Sequence, residues 1–146
     1  MRDLLKAGKW EEADGETLAV MLKVAGREEE RWLDSDSIEK FPCTDLRTID
    51  QLWVKYSDGR FGFSVQKRIW ESVRGDYVKF GDRVGWRKGM FLSKEWLYYK
   101  NLTFSLEAPE GHLPIGGNNG WLIVWGLMDR VLVLEGLFSR VETCKV

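Results

Sequence analysis

Two stretches of this sequence combine rings, cations and glycines at spacings that suit a flat ligand. The first, Phe80-Gly81-Asp82-Arg83-Val84-Gly85-Trp86-Arg87-Lys88-Gly89, sets three cations beside two rings on a backbone made pliable by three glycines. Rings supply apolar area and arginines pair carboxylates bidentately, which fits a planar apolar ligand bearing acid groups. Single-stranded nucleic acid has similar needs. A solvated loop whose Trp86 caps the core is the plainer reading of the same residues. The second stretch, Arg60-Phe61-Gly62-Phe63-Ser64-Val65-Gln66, places two phenylalanines around a glycine just ahead of a helical pattern. Turns ordinarily take small polar residues. The ring pair therefore either folds back into the core or edges a pocket.

Other chemistries find little support. His112 is the sole histidine, and neither an H-E-x-x-H helix nor paired C-x-x-C motifs occur. Its setting, Gly111-His112-Leu113-Pro114, fits a loop histidine bonded to backbone better than an axial metal ligand. P-loop, nucleophile-elbow and dinucleotide fingerprints are missing, and no acid and base are visibly paired, so the expectation is a protein that is not an enzyme. A net charge of −1 gives no global attraction to nucleic acid or anionic lipid. Cys43 and Cys144 lie far apart, which makes a reduced intracellular chain the simpler reading and one disulfide between them the alternative. The polar N-terminus does not read as a signal peptide. The apolar run Trp121–Met128 is too short to span a bilayer.

The elements that must position these residues are mostly helical. A length of 146 residues suits one domain, 1–146. Leu4–Ala7 begins a short helix that stops near Gly8. Asp14 or Thr17 is placed to open the next, with Leu18, Met21, Leu22 and Ala25 on one face and Gly26 at its end. Asp36-Ser37-Ile38-Glu39 resembles a capping box before a brief turn. Leu46, Ile49, Leu52, Trp53 and Tyr56 mark an amphipathic helix. Ser64 is the expected N-cap of a further one, with Phe63 as half of a hydrophobic staple and Val65, Ile69 and Val73 on the buried face. Residues 81–120 read as a long glycine-rich excursion in which only "EWLYYKNLTF" suggests a strand, without an evident partner. Trp121–Arg140 reads as a final apolar helix. The fold class expected is all-α, with that long loop between the later helices.

Several phrases together resemble the genomes-uncoupled-four family, porphyrin-binding activators of magnesium chelatase in oxygenic phototrophs. They are "LLKAGKWEEADGETLAVML" at 4–22, "FPCTDLRTIDQLWVKYSDGRFGFSVQ" at 41–66, "FGDRVGWR" at 80–87, "LTFSLEAPEGHLP" at 102–114 and "LFSRVETC" at 137–144. They run in order along nearly the whole chain, and the second is highly specific. The segments "RKGMFLSKEWLYY" and "IGGNNGW" are unusual beside them.

The resemblance implies a compact, cupped, all-α domain that binds protoporphyrin IX, Mg-protoporphyrin IX or a bilin as ligand, with no permanent cofactor and no metal of its own. It implies stimulation of the large, porphyrin-binding chelatase subunit and regulation of chlorophyll biosynthesis. A sensory or adaptor paralogue of the same fold is the alternative. Site residues expected on this basis are Phe61, Phe63, Arg83, Val84, Trp86, Arg87, Trp96, His112 and Leu113. The extra N-terminal helical domain carried by many members is not expected in this chain. The expected state is a monomer in a cyanobacterial-type cytoplasm, compatible with peripheral association at the thylakoid.

Overall fold

The computed structural model describes residues 1–117 and 127–146, the latter by backbone alone for 127–130. Its elements are helices α1 (Arg2–Lys6), α2 (Trp10–Ala25), α3 (Ser35–Glu39), α4 (Cys43–Tyr56), α5 (Phe63–Ser72) and α6 (Tyr77–Arg83), strands β1 (Arg87–Lys88) and β2 (Glu95–Trp96), and helix α7 (Leu127–Thr143). The all-α expectation holds. The first part of the expected last helix, 121–126, and the Asn118-Asn119-Gly120 run lie outside the described residues.

Local rules account for the helix ends that the sequence marks clearly. Gly26 adopts φ 66° and ends α2, with the Arg27 N–H returning to the Leu22 carbonyl at 2.8 Å. A left-handed C-terminal residue costs glycine nothing, which is why it stands there. Pro42 precedes the first turn of α4, where its missing N–H is no loss. Asp76 opens α6 by accepting the Lys79 N–H at 3.0 Å.

Three helix starts and the long excursion differ from the sequence reading. Helix α2 begins at Trp10, so Asp14 and Thr17 are buried within it instead of capping it. Each found a tertiary partner better than a helix end: the Thr17 hydroxyl donates to the Ala13 carbonyl at 2.7 Å and accepts the Trp53 indole N–H at 3.0 Å. The cap of α3 is Asp34, two residues ahead of the expected box, accepting the Ser37 N–H at 2.8 Å. Helix α5 begins at Phe63 with Gly62 in the cap position, so Ser64 is not the cap and Phe63 is not outside the helix. The long excursion is interrupted by α6 and by β1 and β2, which pair antiparallel with Arg87 opposite Trp96 and Lys88 opposite Glu95. The strand partner missed in sequence is only two residues long, too short to show a period.

The core is dominated by rings. Trp10, Trp53 and Phe61 form one edge-to-face cluster, with Phe61 5.6 Å from Trp10 at 81° and 6.4 Å from Trp53 at 69°. A second joins Trp70, Phe80, Phe138 and Trp86, with Phe80 5.4 Å from both tryptophans. Such pairs add about 0.5–1.5 kcal/mol each beyond area burial. Helix α7 packs on α3 and α5, burying Leu134, Leu137, Phe138 and Val141. Its far end is tied to the start of α4 by a Cys43–Cys144 disulfide and by Arg47 donating to the Cys144 carbonyl at 2.7 Å. That bond corrects the reading of a reduced chain. The cysteines are 101 residues apart and only the packing of α7 brings them together.

Candidate functional site

The two motif phrases around RFGFSVQ and EGHLP turn out to be the two sides of one clasp. The Gly62 N–H donates to the Leu113 carbonyl at 3.1 Å, and the Gly111 N–H donates to the Arg60 carbonyl at 2.9 Å. Arg60 Nε reaches the Ala108 carbonyl at 2.7 Å. Gln66, buried in α5, donates through Nε2 to the carbonyls of Gly111 and Pro114 at 3.0 and 2.8 Å. These bonds give the irregular chain of 108–114 the partners that a buried backbone requires. Gly62 is where the clasp turns, at φ 138°, with α5 starting immediately after it. Phe61 and Phe63 are both fully buried there. The structure thus places the ring pair in the core, where it supports this turn.

Asp50, on α4, supplies the cap that Ser64 does not. Its Oδ1 accepts the Ser64 N–H at 2.8 Å, a carboxylate at the positive end of α5. Burial raises its pKa, and the bonds from Ser64 and Phe63 oppose that shift. Asp14 serves the far side of the clasp. It is completely buried in α2 and accepts the N–H groups of Ile115, Gly116 and Gly117 at 2.6, 3.0 and 2.7 Å, and the Tyr99 hydroxyl at 3.1 Å. Desolvation pushes its pKa up while the four donors pull it down. All four partners donate, so the site is built for the carboxylate. The same pair pushes the Tyr99 phenol up, by burial first and by the Asp14 charge second.

His112 rivets the clasp to the segment after α6. Its Nδ1 lies 2.7 Å from the Val84 carbonyl, and its Nε2 accepts the Thr103 N–H at 3.1 Å. That pairing fixes a neutral ring with the proton on Nδ1 and leaves neither nitrogen for a ligand. Trp86 adds its indole N–H to the His112 carbonyl at 2.9 Å. Burial holds the imidazole pKa below its ordinary 6.5. The unfolded chain then takes up the proton first, so this contribution to stability is whole above that value and is lost as pH falls below it. Urea midpoints between about pH 7.5 and 5 are expected to drop more steeply in wild type than in His112→Gln. Parallel profiles would show that the ring titrates alike in both states.

The hairpin stands on α6 through a stack of three side chains. The Trp96 ring lies 4.4 Å from Tyr77 at 19°, with the Arg87 guanidinium 5.5 Å from its centroid. Arg87 also pairs with Asp82 at 3.1 Å and donates to the Lys94 carbonyl at 3.1 Å. Gly81 makes room for this: a Cβ there would sit 2.4 Å from Trp96 Cη2. Gly81→Ala is expected to lift the ring, cost about 1–3 kcal/mol and, by loosening the hairpin, quicken tryptic cleavage after Lys88 and Lys94. An unchanged cleavage rate at those lysines would mean the stack absorbs the methyl group.

The nine expected site residues are thereby sorted. Phe61, Phe63, Val84, Trp86, His112 and Leu113 are buried and grouped around the clasp. Arg87 and Trp96 are half-buried in the hairpin stack, and Arg83, at the end of α6, is exposed without an ion pair among the described residues. Arg83, Arg87 and Trp96 form the accessible cationic and aromatic part. Sequence reasoning missed Asp14, Asp50, Gln66 and Tyr77. Asp14 had a signal: it lies at helical spacing with Trp10, Thr17 and Met21, on the face that is buried. Among the described residues no cluster of His, Cys, Asp or Glu could hold a metal. No described helix is long and apolar enough to cross a membrane.

Comparison with known proteins agrees with this architecture. The solved ligand-free structure of GUN4 from Arabidopsis thaliana superposes with a TM-score of 0.76 at 27% identity, covering 94% of this chain and 88% of that one. The structure of GUN4 from Chlamydomonas reinhardtii gives 0.73 at 27% identity, covering 94% and 84%. A Ycf53-like protein of Synechocystis is 36% identical over 79% of this chain and 49% of its own length. A chloroplastic tetrapyrrole-binding protein of Arabidopsis thaliana is 34% identical over 71% of this chain and 42% of its own. The chain spans about half the length of the curated relatives it matches. The GUN4-like family model matches residues 1–127. With the fold, the clasp and this match in agreement, the chain belongs to the GUN4-like family.

Proposed function

We propose that this chain is a non-enzymatic tetrapyrrole-binding protein that takes protoporphyrin IX or Mg-protoporphyrin IX and stimulates magnesium chelatase through its large subunit. Membership of the family, with a relative named for tetrapyrrole binding, carries the reading. The chemistry of the hairpin base supports it. A macrocycle offers a flat apolar face to an aromatic ring and two propionates to guanidinium groups. Arg83 is exposed at the end of α6, shortly before Arg87, which lies half-buried against Trp96. The clasp then holds the ground on which these residues stand.

Parallel titrations with protoporphyrin, Mg-protoporphyrin and a bilin, followed by tryptophan quenching and by ligand absorbance, test the proposal. Saturable porphyrin binding is the expected result; porphyrin leaving both signals unchanged would sink it. Tighter binding of the bilin would favour a sensory or adaptor role for the same fold. Chelatase stimulation is then assayed with and without the protein. A charge-assisted bond from Arg83 to a propionate, worth about 1.5–3 kcal/mol, predicts that Arg83→Ala weakens the free acid roughly tenfold to a hundredfold. The dimethyl ester should scarcely change. Equal losses for acid and ester would assign Arg83 to loop shape instead.

A further inference from the structure

The bond between Cys43 and Cys144 joins two sulfurs of unequal access. Cys43 is the first residue of α4 and half-buried, with exposed Pro42 and Thr44 on either side. Cys144, just past the end of α7, is 3% exposed. The chain has two cysteines, so neither has an alternative partner within it. The seam that the bond crosses is also held without it. Arg140 Nε donates to the Phe41 carbonyl at 2.8 Å, and Arg47 donates to the Cys144 carbonyl at 2.7 Å. Lys67 of α5 pairs with Glu142 of α7, and Leu137, Phe138 and Val141 are buried beneath. Opening the bond therefore leaves α7 seated and the two sulfurs close together. One fold accommodates both the open and the closed pair, the condition for reversible exchange.

Position also makes the two sulfurs chemically unequal. A thiolate at Cys43 lies at the positive end of a 14-residue helix. Arg47, one turn on, shares its face, whereas Asp45, the carboxylate of the first turn, does not. Cys144 lies at the opposite, negative end of α7. We propose that Cys43 is a thiol-exchange site, through which a dithiol reductant opens the α4–α7 seam and an oxidised dithiol closes it. The accessible sulfur sets the order of events. A reductant thiolate attacks Cys43 Sγ; the Cys43–Cys144 bond breaks, and Cys144 keeps the electron pair and takes up a proton. The reductant's second thiol gives its proton to solvent and attacks its own partner sulfur in the mixed disulfide. Cys43 leaves as the thiolate that the helix end favours, and the reductant departs as a disulfide, having given two electrons. This inference stands apart from tetrapyrrole binding.

The test exposes the folded chain to dithiothreitol and then to oxidised dithiothreitol, counting free thiols by maleimide labelling. Both thiols are expected to appear and disappear without denaturant, with helical circular dichroism retained. The reduced protein should melt about 10 °C lower, still in one transition. Amide exchange should quicken at 141–146 and stay unchanged at Gly111. A thioredoxin whose resolving cysteine is replaced by serine should be trapped on Cys43, as read from the disulfide-linked tryptic peptide. Single variants then compare the two sulfurs. Iodoacetamide should alkylate Cys43 in Cys144→Ser about tenfold or more faster than it alkylates Cys144 in Cys43→Ser. A bond that opens only in urea, thiols that never close, or helix lost on reduction overturns the exchange site. So does a trap that forms on Cys144 or on neither sulfur, and so do equal alkylation rates.

Discussion

Asp14→Ala is expected to cost about 3–5 kcal/mol of folding stability, lowering the melting temperature by roughly 10 °C or more. The carboxylate is fully buried and is the shared acceptor for Ile115, Gly116, Gly117 and Tyr99. Alanine leaves three amides and a phenol facing an empty, apolar space. Each unmet buried donor costs about 1–3 kcal/mol, with water entering the gap recovering part of the sum. Asparagine keeps one acceptor oxygen but turns an NH2 group toward the remaining donors, so its loss is expected to be smaller than that of alanine and still clear. Urea unfolding followed by tryptophan emission measures both. If alanine changes stability by less than about 1 kcal/mol, the carboxylate is not the hub that its bonds describe.

Gly62→Ala should destabilise by about 3 kcal/mol or more, from two causes that add. The backbone at φ 138° is strained for any residue with a Cβ, and that Cβ would lie 2.8 Å from both Asp50 Oδ1 and Val54 Cγ2. Pushing Asp50 aside removes the acceptor from the N-terminus of α5, and moving Gly62 weakens its bond to Leu113. A double-mutant cycle separates these causes. In an Asp50→Ala background the same glycine substitution should cost distinctly less, because one of the two close atoms and the cap have already gone. Equal costs in both backgrounds would place the damage in the backbone alone. Amide exchange at Ser64 and Gly111 should quicken in the variant, reporting loss of the cap and of the clasp.

Both effects lie where the family phrases are densest, and they explain why those phrases look functional in sequence. "GRFGFSVQ" and "EGHLP" carry Gly62 and Gln66, which hold the two phrases together, and His112, which ties them to Val84 and Thr103. The rings of Phe61 and Phe63 seem misplaced in a turn only while the neighbouring chain is unknown. Once Leu113 and its flanking residues lie against them, they are ordinary core residues. Site residues were expected in both phrases and in the 80–96 segment alike, yet among them accessible surface remains at Arg83, Arg87 and Trp96.

What the sequence alone determined was the part encoded by near neighbours. The faces of α4 and α5, the glycine that stops α2 and the helical class all follow from residues within a few positions of one another. The family, too, was readable from ordered phrases. Tertiary structure decided the rest, because the deciding partners are remote. Thr17 meets Trp53 across 36 residues, Gln66 meets Pro114 across 48, and Asp14 reaches Gly117 across 103. A polar residue that would cap a helix in isolation enters its interior when a buried donor elsewhere needs an acceptor, since an unmet donor costs more than a missing cap. The Cys43–Cys144 bond follows the same logic, being a consequence of where α7 lies and of no local pattern. Period and propensity fix elements; the satisfaction of buried polar groups over long separations fixes how they meet.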